Sequence, residues 1–441
     1  MENQNILEKG SFSKLFLNMC VPTIVIMLVM VIYNMTDTYF IGKTNDPYKI
    51  AAISLCAPIF SILSGLGTLL GSGGCTIISI FLGQKKMDKI KQVTSFCFFG
   101  SIVLGILFFI LFRMNLDWIS QQIGANSDTL VYVKGYLTIV ACFAPVLLFT
   151  NIFMNLIRAD GAAKQSLIAN GLGTLVNVIL DPILILSFHL DVVGAAIATV
   201  AGNIVSTIYI LYYVRKKQTY FSLSIKNLTF NKDVILPVLT LGLPLACSTI
   251  LMACSNMFMN QILMGYGTIA VAANGVSSKA NMLISMILMG ICTGLQPAIS
   301  FNYGAGNKAR MREILKKIGI LVVGIGSILT ILCMIFQKPF VYMFIENDEV
   351  VSLARRMLVA SILAGPIYGL YQLETTYLQA TQKAFASTLL SLLNKGIVYI
   401  PVMLLLNLKF GLFGIFYTIP ITDTISFIIG IFLCKKNDKN H

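Results

Sequence analysis

The chain has 441 residues, of which 57% are hydrophobic and only 11% are charged. Its mean hydropathy is +0.83, whereas a soluble globular chain carries about 25% charged residues. This composition excludes an ordinary soluble domain and predicts an integral membrane protein. The net charge of +14 is compatible with nucleic-acid binding, but the placement of the basic residues in the loops predicts no nucleic-acid partner.

Apolar segments follow one another along the whole chain. Each is long enough to cross a hydrocarbon core of about 30 Å, and none shows the short, strict alternation of barrel strands. The sequence therefore predicts an all-α polytopic membrane protein with twelve transmembrane helices. The predicted segments are 15–41, 50–82, 90–112, 130–157, 166–190, 192–214, 234–264, 269–303, 314–336, 350–380, 385–408 and 410–433.

The basic residues are divided unequally between the two sides of these segments. If both termini are cytoplasmic, 22 of the 32 lysines and arginines lie on the cytoplasmic side and 8 on the outer side. This division follows the positive-inside rule. It predicts a multi-pass protein of the cell (cytoplasmic) membrane with both termini inside, and Trp118 fits an outer interfacial anchor.

The two halves of the chain repeat each other at a nearly constant spacing. Pro22 and Asn34 recur as Pro244 and Asn256, at an offset of 222. Matches at 221 or 220 join Pro145 with Pro366, Ala159 with Ala380 and Gly194 with Gly414. Such a repeat predicts two six-helix lobes related by a pseudo-two-fold axis along the membrane normal. The predicted boundaries are 1–225 for the amino-terminal lobe, which carries the cation site, and 226–441 for the carboxy-terminal lobe.

Two aspartates interrupt the apolar segments of the first half. Asp37 lies in the first segment and Asp181 in the fifth. A carboxylate at bilayer depth costs a few kcal/mol on insertion scales. It is usually retained where it faces a water-filled cavity and binds an ion, a proton or a cationic substrate, which makes both residues candidates for function.

Polar neighbours accompany these carboxylates at helical spacing. Asn177 and Asp181 are four residues apart, as are Tyr33 and Asp37, so each pair shares one helix face. Other polar residues expected near the site or cavity are Asn34, Tyr136, Asn151, Asn170, Thr174 and Thr199. Hard cations favour such oxygen ligands, and two close carboxylates also favour a bound proton. An interhelical hydrogen-bond network with a purely structural role is the alternative.

The second half lacks these carboxylates. The positions that correspond to Asp37 and Asp181 are Met259 and approximately Val402. Charged residues within its segments are Lys279, Glu374, Lys395 and Asp423, and a Lys–Glu pair among them would be structural. Possible substrate contacts are Met252, Met259, Met286, Glu374 and Asp423. Methionine suits a promiscuous apolar wall, although ordinary core packing is the alternative for each one.

Other motifs are uninformative about chemistry. The ten cysteines are scattered without a C-x-x-C pair, which predicts small buried hydrophobic residues rather than disulfides or metal ligands. The glycine runs at 65–67 and 71–74 follow no strand and predict close helix packing or a kink. The sequence contains no Walker motif, nucleophile elbow or zincin motif, which favours neither an ATP-driven pump nor an enzyme and predicts no cofactor.

Several short motifs are distributed along both ends of the first half. They are Pro22, the Tyr-Asn-Met-Thr-Asp run 33–37, the Phe-Ile-Gly run 40–42, the Arg-Ala-Asp-Gly run 158–161, the Asn-Val-Ile-Leu-Asp-Pro run 177–182 and the run 193–199. With these motifs the chain resembles the multidrug and toxic compound extrusion (MATE) family, and more closely its DinF/MepA-type prokaryotic branch. The likeness spans the whole chain, including the twelve segments and the linker after the sixth.

The resemblance implies a secondary antiporter that exports amphipathic, often cationic organic compounds in exchange for Na⁺ or H⁺. It implies a cation site, a metal site if sodium is the coupling ion, at Asp37, Asn177, Asp181 and Thr199. Tyr33, Tyr136 and Asn151 match neighbours of that site. The implied partners are small organic molecules and membrane lipid, without an obligate protein partner.

One departure from the family concerns the second half. The NorM-type branch places a glutamate in the seventh helix eight residues after its proline, and here that position is Met252. Ion coupling is therefore expected to depend on the amino-terminal lobe.

Two other functions remain as alternatives. A lipid or lipid-linked oligosaccharide flippase would hold pyrophosphate with cationic residues in its cavity, for which only Lys279 and Lys395 are candidates. A polytopic membrane enzyme would need paired histidines or a nucleophile, and the chain has only His189 and His441.

Overall fold

A computed structural model of the chain describes residues 7–8, 10–42, 47–216, 220–343 and 348–438. Within these ranges, the side chains of residues 32–39, 42, 47, 50, 268, 437 and 438 are not described. The regular secondary structure of the described residues is helical. We number the α-helices in chain order.

The first half begins with a short helix and continues through seven longer ones. They are α1 (Phe12–Leu15), α2 (Val21–Gly42), α3 (Pro47–Gly83), α4 (Met87–Gln122), α5 (Leu130–Cys142), α6 (Ala144–Ala159), α7 (Ala163–Pro182) and α8 (Asp191–Lys216). A π-helical turn joins α1 to α2 (Phe16–Cys20), and another extends α7 (Ile183–Ser187).

The second half repeats this order of long helices. They are α9 (Lys232–Met264), α10 (Thr268–Gly304), α11 (Lys308–Ile335), α12 (Gln337–Tyr342), α13 (Asp348–Ile362), α14 (Gly365–Ala380), α15 (Ala384–Leu392), α16 (Tyr399–Phe416) and α17 (Thr418–Asp438). A π-helical turn at Leu393–Ile397 joins α15 to the segment that leads into α16.

Ten of the described helical segments are long and apolar enough to cross a membrane, and two bent pairs each add one more span. The pairs are α5 with α6, bent by 59°, and α13 with α14, bent by 44°. The twelve predicted segments are thus confirmed, but 130–157 and 350–380 are broken rather than straight. Each break precedes a proline in the first turn of the following helix, Pro145 or Pro366, where proline is tolerated because that N–H needs no intrahelical partner.

The repeat is visible in the backbone as well as in the sequence. Unusual positive φ angles occur in pairs separated by 221 residues, at Lys85 (58°) and Gly306 (73°), and at Gly161 (74°) and Gln382 (61°). Few residues other than glycine adopt this conformation, so its recurrence at equal spacing indicates two copies of one fold. The exact lobe boundary between residues 225 and 226 stays a prediction.

Glycines bring helices of the two halves into backbone contact. A methyl group on Gly73 of α3 would overlap the carbonyl oxygen of Val238 in α9, and one on Gly242 of α9 would overlap that of Leu69. This close approach confirms the packing role predicted for the 71–74 run. It excludes any larger residue at Gly73 or Gly242 unless the helices separate.

A second contact between the halves lies nearer the end of α3, against α10. A Cβ on Gly83 would overlap the carbonyl oxygen of Phe301, and one on Gly304 would overlap that of Ile80. The 221-residue repeat relates the contact of Gly83 with Phe301 to the contact of Gly304 with Ile80. Gln296 Nε2 of α10 also donates a 2.9 Å hydrogen bond to Thr76 Oγ1 of α3, so this end of the molecule is closed between the halves.

Replacing Gly242 with alanine should destabilise the protein by about 1–3 kcal/mol or more, because the added methyl group has to displace the α3 backbone. Gly275→Ala in α10 is the matched control, since a Cβ there has no neighbour within 4 Å. We expect the control to stay within about 1 kcal/mol of the parent. Thermal unfolding of both variants in the same detergent measures this, and equal melting temperatures would contradict the packing argument.

Candidate functional site

The predicted polar residues of α7 and α8 lie in the interior of the amino-terminal half. Asp181 is 0% exposed, Asn177 1% and Thr199 2%. They lie beside a close helix crossing, because a Cβ on Gly173 would overlap Ser206 Oγ and one on Gly202 would overlap the Gly173 carbonyl oxygen. These small residues let the α7 and α8 backbones approach closely. Asn177, Asp181 and Thr199 form a buried polar stripe beside this crossing.

This buried stripe carries oxygen atoms suited to a cation. Asn177 Nδ2 donates a long, 3.5 Å hydrogen bond to Asp181 Oδ1, while Asn177 Oδ1 has no hydrogen-bond partner among the described residues. Pro182 has no N–H, so the Val178 carbonyl receives no α-helical hydrogen bond from it. An unsatisfied buried amide oxygen beside a carboxylate fits a hard cation such as Na⁺, and the carboxylate by itself fits a proton.

For the first-helix part of the predicted site, the structure describes the backbone of α2 but not the side chains of residues 32–39. The backbone of α2 packs against α7, which brings the first and fifth predicted segments together. The side chains of Tyr33, Asn34 and Asp37 lie outside the described residues. Their place in the cation site therefore stays a prediction.

The remaining predicted neighbours are spread over two helix contacts. Asn151 of α6 lies against α3, where a Cβ on Gly67 would come within 2.9 Å of its Cγ, and its Oδ1 has no hydrogen-bond partner among the described residues. Asn170 Nδ2 approaches Met154 Sδ at 4.0 Å. Thr174 and Tyr136 are half-buried.

A polar network beside Thr199 was not predicted from the sequence. Asn203 Nδ2 donates to the Thr199 carbonyl oxygen at 2.9 Å, and the hydroxyls of Thr150 and Thr207 are 2.7 Å apart. The Thr150 hydroxyl also donates to the Asn203 carbonyl at 3.2 Å. The signal was present in the sequence as polar residues at 199, 203 and 207, four apart and therefore on one face of a helix.

Comparisons with known proteins place this arrangement in a family. The family model described as MatE matches residues 22–183 and, separately, residues 244–405. The chain belongs to the MatE family. Both matches begin at a proline of the repeat, and their starts are 222 residues apart.

Among relatives of this MatE chain are two staphylococcal proteins named "Multidrug export protein MepA". The chain is 33% identical over 418 residues to the one from Staphylococcus saprophyticus and 33% identical over 422 residues to one from Staphylococcus aureus strain MSSA476. Each alignment covers 95% of this chain and 92% of the relative.

A solved structure shares the fold of this MatE chain. It is described as an outward-facing conformation of a multidrug resistance MATE family transporter of the MOP superfamily. Its TM-score is 0.92 at 21% identity, and the match covers 98% of this chain and 97% of that one. This agreement confirms the predicted fold class of twelve helices in two lobes.

The carboxy-terminal lobe of the MatE chain contains a different charged cluster. Asn394 Nδ2 donates a 2.9 Å hydrogen bond to Asp423 Oδ1, and the ammonium of Lys395 lies 5.4 Å from the ring centre of Tyr368. Asp423 is 5% exposed. Lys395, next to Asn394 in the chain, forms no ion pair with Asp423 within 4.0 Å among the described residues. The π-helical turn that contains Asn394 and Lys395 carries both side chains to this cluster.

Glu374 is separate from that cluster. Its carboxylate lies against α17, where a Cβ on Gly430 would overlap Glu374 Oε2. That oxygen has no hydrogen-bond partner among the described residues. The Lys395 ammonium lies over the Tyr368 ring and Lys279 is exposed. Neither lysine forms an ion pair with Glu374 among the described residues.

The three methionines predicted as possible substrate contacts differ in exposure. Met252 is exposed, Met286 is half-buried and Met259 is buried. Met259 lines a narrow cleft of the carboxy-terminal lobe together with Asn274, Ser277, Asn281, Met357 and Phe416. The contact role of each methionine stays a prediction.

Replacing Asp423 with leucine should destabilise the protein by about 1–3 kcal/mol, because it leaves the buried Asn394 amide without its acceptor and removes the negative charge near Lys395. The double change Asp423→Leu with Lys395→Met should recover part of this loss. Combining Asp423→Leu with Lys279→Met, an exposed lysine, is the control and should recover nothing. Additive melting-temperature changes in both pairs would exclude the coupling.

A second prediction concerns Asp160, in the loop between α6 and α7. Burial raises the pKa of its carboxyl to about 6, whereas an unfolded aspartate has a pKa of about 3.9. The folded state therefore holds the proton more tightly, and the stability from this group is lost as pH rises from about 4 to about 6. Asp160→Asn should remove this loss and raise the melting temperature at pH 7.5 relative to the parent.

Melting temperatures measured from pH 4 to pH 8 check this prediction. Asp88→Asn is the control for the removal of one negative charge, because the Asp88 side chain is 91% exposed. Parallel pH profiles for the parent and Asp160→Asn would show that Asp160 does not contribute to the pH dependence of stability.

Proposed function

We propose that this chain is a secondary active multidrug antiporter, which exports amphipathic, often cationic organic compounds in exchange for Na⁺ or H⁺. The observation that carries the proposal is the fully buried Asp181 beside Asn177 Oδ1, an oxygen that has no hydrogen-bond partner among the described residues. The MatE match over both halves and the MepA relatives support it. We further propose that the chain acts as a transporter rather than an enzyme and needs no organic cofactor.

The exchange follows from the charge of this site. A cation leaves its hydration shell only if protein oxygens replace the lost water, and the Asn177 and Asp181 oxygens offer such a set, with Thr199 and Asp37 as further proposed ligands. Binding of Na⁺ or a proton neutralises the carboxylate. Coupling requires that the cation and the drug favour different states of the transporter. Oxygen-rich surroundings favour Na⁺ over H⁺.

Alternating access fits the contacts between the lobes. In the proposed orientation both termini are cytoplasmic, in the cytoplasmic membrane, so Gly83 and Gly304 lie at the cytoplasmic end. Their backbone contacts, together with the Gln296–Thr76 hydrogen bond, close that end. Drug would then leave toward the outside, and α3 must separate from α9 and α10 before the site opens to the cytoplasm.

The flippase alternative receives less support. A flippase requires cationic groups that are free to hold pyrophosphate in the cavity. The Lys395 ammonium instead lies over the Tyr368 ring, 5.4 Å from its centre, within the lobe. We propose that the transported partners are small organic molecules in a lipid environment, without nucleic acid or an obligate protein partner.

Neutralising the amino-terminal site should abolish ion-dependent export. We expect Asp181→Asn and Asp37→Asn to lose ethidium efflux driven by an imposed Na⁺ gradient in proteoliposomes, with the pH gradient collapsed by an ionophore. Glu374→Gln is the matched control, because it removes a carboxylate from the other lobe, and it should keep the ion dependence. A separate arm with a pH gradient alone distinguishes H⁺ coupling from Na⁺ coupling.

Efflux by Asp181→Asn at the parent rate, for equal amounts of reconstituted protein, would disprove the assignment of coupling to this site. Equal loss of ion dependence in Glu374→Gln would instead move the coupling to the carboxy-terminal lobe. Absence of ethidium efflux by the parent under both gradients would contradict the antiporter itself.

A further inference from the structure

A pocket of about 450 Å³ opens at the end of the carboxy-terminal lobe that is opposite Gly304. The helix order places it there, because α11 begins beside Gly304 and crosses the lobe before α12 begins at Gln337. Its walls come from α12, α13, α16 and Tyr417, which lies between α16 and α17. Lining residues include Gln337, Arg355, Arg356, Phe413, Phe416 and Tyr417.

Two adjacent arginines dominate the charge of this pocket. Among the described residues, neither Arg355 nor Arg356 forms an ion pair with a carboxylate. Arg355 Nε donates a 3.3 Å hydrogen bond to Gln337 Oε1, and Gln337 Nε2 donates to the Met334 carbonyl at 3.0 Å. Gln337 therefore holds one guanidinium in place without neutralising it, while Arg356 is exposed.

The position of these arginines is unusual for a membrane protein. In the proposed orientation they lie on the outer side, where the positive-inside rule disfavours basic residues. Two positive charges that share a pocket there, without a carboxylate partner among the described residues, favour an anion. A guanidinium matches the geometry of phosphate oxygens through paired N–H donors and is less strongly hydrated than an ammonium, which makes phosphate the best-fitting group.

The rim of the pocket is apolar and exposed. Phe413 is 55% exposed and Tyr417 47%, and the neighbouring Phe410 is 63% and Leu408 81% exposed. Exposed aromatic residues at a helix end are typical of the membrane interface, where headgroups meet acyl chains. A ligand of this pocket thus has a charged head and an apolar body.

We propose that this pocket binds the headgroup phosphate of an anionic glycerophospholipid from the outer leaflet. Arg355 and Arg356 contact the phosphate, Gln337 positions Arg355, and the acyl chains lie along the exposed apolar surface of Phe410 and Phe413. The proposal depends on the orientation given under Proposed function, and it is independent of the coupling ion.

The pocket is also next to the cleft that Met259 lines. Phe416 lines both cavities, so its ring forms a shared wall between them. A lipid bound in the pocket would therefore restrict the movement of Phe416 away from the cleft that Met259 lines.

The test measures which lipid stays bound. The full chain is reconstituted in nanodiscs of equal parts phosphatidylglycerol and phosphatidylcholine with identical acyl chains. The protein is then released from the nanodisc, and native mass spectrometry identifies the lipids that remain bound to it. We expect the parent to retain phosphatidylglycerol in preference to phosphatidylcholine. The double change Arg355→Gln with Arg356→Gln should lower this retention about tenfold, as expected for the loss of charge-assisted hydrogen bonds.

Arg113→Gln is the matched control, since it removes an exposed arginine near the same membrane face but outside the pocket. It should retain phosphatidylglycerol as the parent does. Arg356→Gln alone provides a milder variant if the double change fails to give a single gel-filtration peak, and it should also lower the retention.

Three outcomes would overturn the proposal. In the first, the arginine variants retain as much phosphatidylglycerol as the parent. In the second, the parent retains phosphatidylcholine equally well, which would show that the pocket does not select an anionic headgroup. In the third, millimolar inorganic phosphate displaces the lipid from the parent, which would identify a site for free phosphate. None of these measurements depends on drug efflux, so the proposal and the antiport mechanism fail separately.

Discussion

Backbone contact between the two lobes is the constraint on which the rest of the structure depends. Gly73 and Gly242 bring α3 and α9 so close that neither position accepts a Cβ, and Gly83 and Gly304 do the same for α3 and α10. Such contacts are tight but consist mostly of dispersion forces, which are individually weak and fall off steeply with distance. Together with the Gln296–Thr76 hydrogen bond, they hold one end of the two lobes together.

The two lobes share one fold but bury different chemistry. The repeat pairs Asp181 with approximately Val402. The amino-terminal lobe therefore buries a carboxylate where its counterpart carries an apolar side chain. One carboxylate of the other lobe, Asp423, lies in a different part of the repeat and accepts a hydrogen bond from the Asn394 amide. The other, Glu374, lies against α17 instead.

The charged groups in two parts of the carboxy-terminal lobe differ in how they are compensated. The buried Asp423 carboxylate accepts a hydrogen bond from the Asn394 amide within the protein, whereas Arg355 and Arg356 have no carboxylate partner among the described residues. Buried charges must be compensated internally because low dielectric makes an isolated charge costly. Charges at the membrane interface have access to water and headgroups, so their compensation comes from outside the protein.

Much of this protein was determined by local sequence. Hydropathy predicted the twelve spans, since crossing a membrane requires only a run of apolar residues. The 222-residue offset predicted two lobes, and the spacing of Asn177 and Asp181 predicted one polar face, because both depend on positions along a single chain. Even the glycine run at 71–74 predicted close packing, although its partner was unknown.

Only the tertiary structure decided which distant segments meet. The sequence did not reveal that Gly242 packs on Leu69, that Asn394 binds Asp423, or that Gln337 and Arg355 share a pocket with Phe413. The 59° and 44° breaks before Pro145 and Pro366 were equally hidden, because hydropathy averages over a bend. Helical periodicity specifies which residues share a face, but the partner of that face depends on how helices far apart in the chain pack together.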